Sequence, residues 1–171
     1  MDSGVAALWG AGIGVAGTLA TTWLGGWSAL RGQHGHWRRE GRREAYSAFI
    51  ASVMAFRAAA DSLLSVMDDR HTRDEAAQAL EQVQACFPAV VAACPVVVIE
   101  GPEDVAPRAR SVAKAVAAAL SHLEFYATSA RRFGRPVKYE ADRARQRLDA
   151  VDKDLNKFAE KASASLNSTK V

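Results

Sequence analysis

The chain has 171 residues and a mass of 18.3 kDa, which suits one compact domain and is short for two. Apolar residues make up 49%, and two cysteines are too few for a disulfide scaffold, so composition excludes that class and a wholly disordered chain. The net charge of +3 is concentrated in residues 31–43, whereas residues 44–171 are balanced. A nucleic-acid-binding domain would carry the surplus on its own surface, so we expect no nucleic acid partner.

The first thirty residues predict a transmembrane helix. No charged side chain occurs from Ser3 to Leu30, a stretch longer than the roughly 20 residues that cross a hydrocarbon core. Trp9 lies near one end, and Trp23 and Trp27 near the other, as in an aromatic belt. A cleavable signal peptide would need basic residues before the apolar run, and a buried core helix rarely stays uncharged for so long. We therefore predict a single span within residues 1–30, preceded by a short outer N-terminus.

Five arginines follow the predicted span within 13 residues, and no basic residue precedes it. The positive-inside rule then places the N-terminus outside the cell membrane and the C-terminal domain in the cytoplasm. Residues 31–45 form a basic juxtamembrane segment, which either contacts a lipid bilayer with anionic headgroups or serves only to fix the topology. The arginines of this segment are Arg31, Arg38, Arg39, Arg42 and Arg43.

Small residues recur every four positions within the predicted span. Gly10, Gly14, Thr18 and Thr22 share one face of a helix, where a second helix backbone can approach closely. This face would allow a homo-oligomer through the transmembrane helix or contact with a different protein. Small residues are common in membrane helices, so chance spacing is the alternative.

The region after the arginines has a helical pattern. Apolar residues from Tyr46 to Met67 recur at three-and-four spacing, which predicts a long amphipathic helix. A polar break covers residues 68–73, where Thr72 is a candidate N-cap and Glu75 completes a capping box. We expect Pro88 to kink or break the helix that follows.

The remaining segments complete the prediction of an all-α fold. Val96–Ile99 has strand propensity but no second strand to pair with, so it is either the buried end of a helix or an extended segment. A third helix begins near Pro102, after a turn at Gly101. From Val137 to Ala162 the apolar spacing follows a heptad seam, and the other faces are charged. We predict an antiparallel four-helix-bundle-like domain over residues 46–168, with a tail at 169–171.

The sequence offers no arrangement that is typical of an active site. It contains no Glu-x-x-His, His-Glu-x-x-His, Cys-x-x-Cys or phosphate-loop pattern, so we expect no catalytic residue, no cofactor and no metal site. His34 and His36 form a pair with no third ligand nearby, and His122 stands alone. Cys86 and Cys94 are eight residues apart, about 12 Å on a helix, which is too far for a disulfide.

Several short motifs resemble a group of membrane proteins. The span is followed by Trp37-Arg38-Arg39, then by Arg42-Arg43-Glu44-Ala45-Tyr46-Ser47-Ala48-Phe49, and later by a Gly101-Pro102 turn. This layout resembles uncharacterised single-pass membrane proteins common in actinobacteria, with a cytoplasmic helical domain. The resemblance implies the architecture and carries over no functional residue.

These observations favour a membrane-anchored helical-bundle protein with a non-catalytic interaction or scaffolding role and a cytoplasmic protein partner. One alternative is a small oligomeric pore-forming, holin-like membrane protein, which would leak ions from liposomes. A second alternative is a ligand-sensing helical domain, which its ligand would stabilise against heat.

Overall fold

The computed structural model describes residues 36–68, 73–133 and 138–167, and all secondary structure in these ranges is helical. The chain divides into two units, Met1–Gly35 and His36–Val171. The predicted span, the N-cap at Thr72 and the tail at 169–171 lie outside the described residues. The helices are α1 (His36–Asp68), α2 (Arg73–Glu100), α3 (Ala106–Phe133) and α4 (Lys138–Asn167).

The four helices pack in sequence around one core, and each is antiparallel to the next. The most extensive contacts join α1 to α2 and α3 to α4, whereas α1 and α4 share a narrower contact. Within the described ranges α2 and α4 do not touch, so they occupy opposite corners of the bundle. The first helix begins at His36, inside the segment predicted as juxtamembrane, so residues 36–45 continue directly into the bundle.

The core is built from the apolar faces that the spacing predicts. In α4 the buried side chains follow the heptad seam from Ala141 to Ala162, which confirms that prediction. In α1 the rings of Tyr46 and Phe49 meet the edge of Phe158 from α4, with centroids 5.8 and 5.1 Å apart. Aromatic edge contacts of this kind add to the burial of the rings, so they hold α4 against α1.

Helix α2 runs through two prolines without interruption, so a break at Pro88 does not occur. Pro88 and Pro95 both lie on the exposed side of α2, where the carbonyls that lose a helical donor can face water. The segment Val96–Ile99 is helical, which settles the alternative left by its strand propensity. Val97 is fully buried, but Ile99 is 73% exposed, so this end of the helix is not wholly in the core.

A short turn joins α2 to α3. The Gly101 amide still donates to the Val97 carbonyl at 2.8 Å, and the helix then ends because the residue before a proline disfavours helical geometry. The Pro102 carbonyl accepts hydrogen bonds from the amides of Val105 and Ala106, at 3.0 and 3.4 Å. The third helix therefore begins at Ala106, four residues after the predicted start.

Candidate functional site

The predicted site residues fall into two groups. The structure describes none of the predicted helix-packing residues in the span, and the side chain of Arg38 is likewise outside what it describes. The residues that lie outside the described ranges are Gly10, Gly14, Thr18, Thr22 and Arg31.

The remaining arginines occupy the first turns of α1, and they differ in their surroundings. Arg42 is half-buried, and its Nε donates a hydrogen bond to the Glu100 carbonyl at 2.9 Å. A cation at the last carbonyls of a helix satisfies an acceptor that has no helical donor, so Arg42 caps α2. Arg39 and Arg43 are exposed. The arginine cluster thus supplies one structural contact and two exposed cations at the same end of the bundle.

Tyr46 joins three helices at that end. Its hydroxyl lies 3.3 Å from Ser165 Oγ, and Ser165 Oγ donates to the Ala162 carbonyl at 2.8 Å, so Tyr46 is the donor to Ser165. A Cβ on Gly101 would lie 2.6 Å from the Val97 carbonyl oxygen and 3.2 Å from the Tyr46 hydroxyl. The close approach of α2 to Tyr46 therefore requires glycine at this position.

The exposed surface of α1 and α2 is uncharged over a long stretch of each helix. The register that places Arg42 beside Glu100 sets residues 47–58 of α1 alongside residues 84–95 of α2. In residues 47–58 and 85–99 the only charged residue is Arg57, which turns away to Asp61 and to Asp152 of α4. We call the exposed side chains of these two stretches the α1–α2 face; they are Ser47, Ala48, Ala51, Met54, Ala55, Ala58, Ala85, Pro88, Ala89, Val91, Ala92, Pro95 and Ile99.

The same two helices are unusually apolar for their burial. By length and composition alone, α1 (Arg39–Asp68) and α2 (Asp74–Glu100) are apolar enough to cross a membrane, since each contains an 18-residue window whose mean hydropathy is 1.5 in α1 and 1.9 in α2. A core helix of a soluble protein passes this test when it is mostly buried, but only 33% and 22% of these windows are buried. Partly buried residues such as Phe87 and Val96 also pack against the core, while other apolar side chains of these helices, such as Val91 and Ile99, are exposed.

The opposite side of the bundle is charged. The outer face of α4 exposes residues of both signs, as the sequence predicts, and its side chains form ion pairs with the neighbouring helices. Arg57 Nε lies 3.2 Å from Asp152 Oδ2, and Arg145 pairs with Asp68, so both pairs link α1 to α4. These groups are partly exposed and stabilise the fold little, by about 0–1 kcal/mol each. Their arrangement shows that α4 faces water.

The described residues offer little for covalent or metal chemistry. Within them, no group of three or more histidine, cysteine or acidic side chains could hold a metal ion. Cys86 and Cys94 are free and half-buried, and burial raises the pKa of both thiols, which keeps them protonated and unreactive near neutral pH. The ring of His122 is within 3.0 Å of the Ala118 carbonyl, a local contact in its own helix.

Tyr126 places a phenol hydroxyl in the core of the bundle. Its side chain is fully buried, and its hydroxyl has no hydrogen-bond partner among the described residues. Burial, followed by the nearby charge of Asp68, raises the pKa of this phenol. A buried hydroxyl without a hydrogen-bond partner lowers the stability of the fold, and because it stays neutral at neutral pH it supplies neither an acid nor a base there.

No protein-family model, no curated protein and no solved structure matches the chain. Sequence reasoning missed the α1–α2 face because it took the end of α2 to be buried or extended. The signal that could have found it is the run of fifteen uncharged residues from Ala85 to Ile99, which is apolar on every side of a helix.

Proposed function

We propose that this chain is a membrane-anchored helical-bundle protein with a non-catalytic interaction or scaffolding role. A helix within residues 1–30 crosses the cell membrane once, with its N-terminus outside, and the bundle lies in the cytoplasm. The observation that carries the proposal is the α1–α2 face, because exposed apolar side chains with almost no charge among them are typical of sites that bind a membrane or a protein. The uncharged stretch from Ser3 to Leu30, with arginines on one side only, supports the anchor and its orientation.

The proposed partners follow from the same features. The exposed Arg39 and Arg43, together with Arg31 and Arg38, would contact anionic headgroups, while Arg42 caps α2. A cytoplasmic protein would bind the bundle, and a second copy of the chain would pack along the small residues of the span. The second contact is testable with Gly10→Ile and Gly14→Ile, which should weaken cross-linking of copies in membranes. Gly12→Ile, off that face, is the matched control and should leave cross-linking unchanged.

Membrane fractionation tests the anchor itself. The full chain should resist carbonate washing and dissolve only in detergent. In the double variant Val15→Arg/Leu19→Arg, each arginine at the centre of a span costs about 2.5–3.5 kcal/mol, so we expect release by carbonate. The control Ala150→Arg adds an arginine to the exposed face of α4 and should leave the chain in the membrane.

Two results would contradict the proposal. Release of the unaltered chain by carbonate would mean that residues 1–30 form a peripheral or buried helix, and the topology would be wrong with it. Leakage of a dye from liposomes that carry the chain would favour the pore-forming alternative. We expect the dye to be retained.

A further inference from the structure

The α1–α2 face has a charge pattern that indicates what covers it. The half of the α1–α2 pair nearest the start of α1, residues 36–58 and 85–100, holds five arginines against three acidic residues. One of these arginines, Arg57, pairs with Asp61 and Asp152. The distant half, residues 59–84, holds six acidic residues against two arginines. The uncharged face lies entirely in the half that carries the positive surplus.

An anionic bilayer complements this arrangement. It attracts the half that carries both the arginines and the apolar surface, and it repels the acidic half. The exposed Arg39 and Arg43 lie at the end of the bundle where the face begins, interleaved with the exposed Glu40 and Glu44. Ile99 lies at the same end on α2. Apolar side chains that adjoin exposed cations are the combination with which peripheral helices bind lipid.

The length of chain before the bundle keeps this surface close to the membrane. In the proposed topology the span ends near Leu30, and α1 begins at His36. The five residues between them reach at most about 18 Å when fully extended. In that topology the start of α1, with Arg39 and Arg43 in about its first two turns, therefore stays near the headgroups.

The prolines of α2 decide the depth of the contact. Pro88 and Pro95 leave the carbonyls of Gln84 and Val91 without a helical donor, and these carbonyls need water or another donor. Hydrocarbon supplies neither, whereas the headgroup region does. The outer side of α2 thus suits the membrane interface and does not suit a second span.

We infer that the α1–α2 face lies on the anionic leaflet of the bilayer, so that the bundle rests on the membrane by its side. The inference rests on the proposed anchor, because the anchor brings the face to the membrane. It adds a second membrane contact made by the folded bundle, through apolar side chains such as Val91, Ala92 and Ile99. The charged outer face of α4, at the opposite corner, stays in the cytoplasm for a protein partner.

The test uses the full chain in vesicles of equimolar phosphatidylcholine and phosphatidylglycerol. Cys86→Ala and Cys94→Ala remove the native thiols, and a single new thiol carries an environment-sensitive fluorophore. Ala92→Cys places the label on the α1–α2 face, and Ala150→Cys is the matched control on α4, since both alanines are exposed. We expect a blue shift and quenching by nitroxide-bearing lipid for the label at position 92. We expect neither for the label at position 150.

A second variant tests the cause of the contact. Val91→Glu/Ile99→Glu places carboxylates on the α1–α2 face at two exposed positions, so folding, checked by circular dichroism, should be retained. Quenching of the label at position 92 should then be lost while the chain still resists carbonate. Quenching that persists in this variant would overturn the inference, because the face would not be responsible for it.

The outcomes separate this inference from the proposed function. Carbonate release of the labelled chain without the glutamates would overturn the anchor and the inference together. Carbonate resistance without quenching at position 92 would overturn the inference alone. A label at position 92 that is shielded from aqueous iodide but not reached by lipid quencher would also overturn it. Disulfide cross-linking between copies at that position would then identify a second copy as the occupant.

Discussion

Replacing Phe158 tests the contact that holds α4 against α1. Its side chain is fully buried and meets the rings of Tyr46 and Phe49 edge-on. Phe→Ala in a core costs about 3–5 kcal/mol, and each aromatic edge contact is worth about 0.5–1.5 kcal/mol beyond area, so we expect the upper half of that range. Phe158→Leu keeps most of the volume and loses the two ring contacts, which predicts a loss of about 1–3 kcal/mol.

The measurement is urea unfolding of the full chain in mild detergent, followed by far-ultraviolet circular dichroism. The matched control is Phe125, which is 57% exposed on α3. Phe125→Ala and Phe125→Leu should change the free energy of unfolding by less than about 0.5 kcal/mol. Equal effects at Phe158 and Phe125 would refute the pairing of α1 with α4.

Gly101→Ala should destabilise the bundle by about 1–3 kcal/mol, because its Cβ would meet the Val97 carbonyl and Tyr46. Gly41→Ala lies within α1, and its Cβ would meet Glu100 Oε2 only at 3.9 Å, an ordinary contact, so it should stabilise the bundle by about 0.4–1 kcal/mol. Urea unfolding should therefore give opposite signs for the two variants, and equal signs would contradict this. Tyr126→Phe should leave the free energy of unfolding unchanged or raise it, because the hydroxyl that it removes has no partner among the described residues. Tyr46→Phe removes the hydrogen bond to Ser165 and should lower the free energy of unfolding by about 0.5–1.5 kcal/mol. A loss of stability in Tyr126→Phe would mean that its hydroxyl has a partner. Burial raises the pKa of Tyr126 above its ordinary 10.0, so the unfolded chain loses this proton first. The free energy of unfolding should therefore decrease as the pH rises above 10.0. The decrease, measured by urea unfolding at alkaline pH, should be smaller in Tyr126→Phe than in the unaltered chain.

The helices that the sequence predicts best are those with one apolar face. In α4 the residues between the seam positions are charged, so the spacing from Ala141 to Ala162 identifies the buried side without ambiguity. In α2 the residues from Ala85 to Ile99 are apolar all round, so periodicity cannot tell the buried Val97 from the exposed Ile99. Only the positions of the neighbouring helices decide between them.

Contacts between residues that are far apart in the sequence could not be predicted, for a related reason. Arg42 belongs to a cluster that the sequence assigns either to anionic lipid or to fixing the topology, yet its Nε caps α2 at Glu100, 58 residues away. Tyr46 and Ser165 are 119 residues apart, and nothing in the spacing of either helix pairs them. Such contacts depend on how far each helix slides along its neighbour, and the turns and side-chain packing set that register.

The position of Tyr46 has a mechanical consequence. Any pull from the N-terminal segment enters the bundle at His36 and reaches Tyr46 after about three helical turns. There α1 contacts the end of α2 at Gly101 and also contacts Phe158 and Ser165 of α4. A pull on the start of α1 is therefore resisted by contacts with the end of α2 and with α4 before α1 can separate from the bundle.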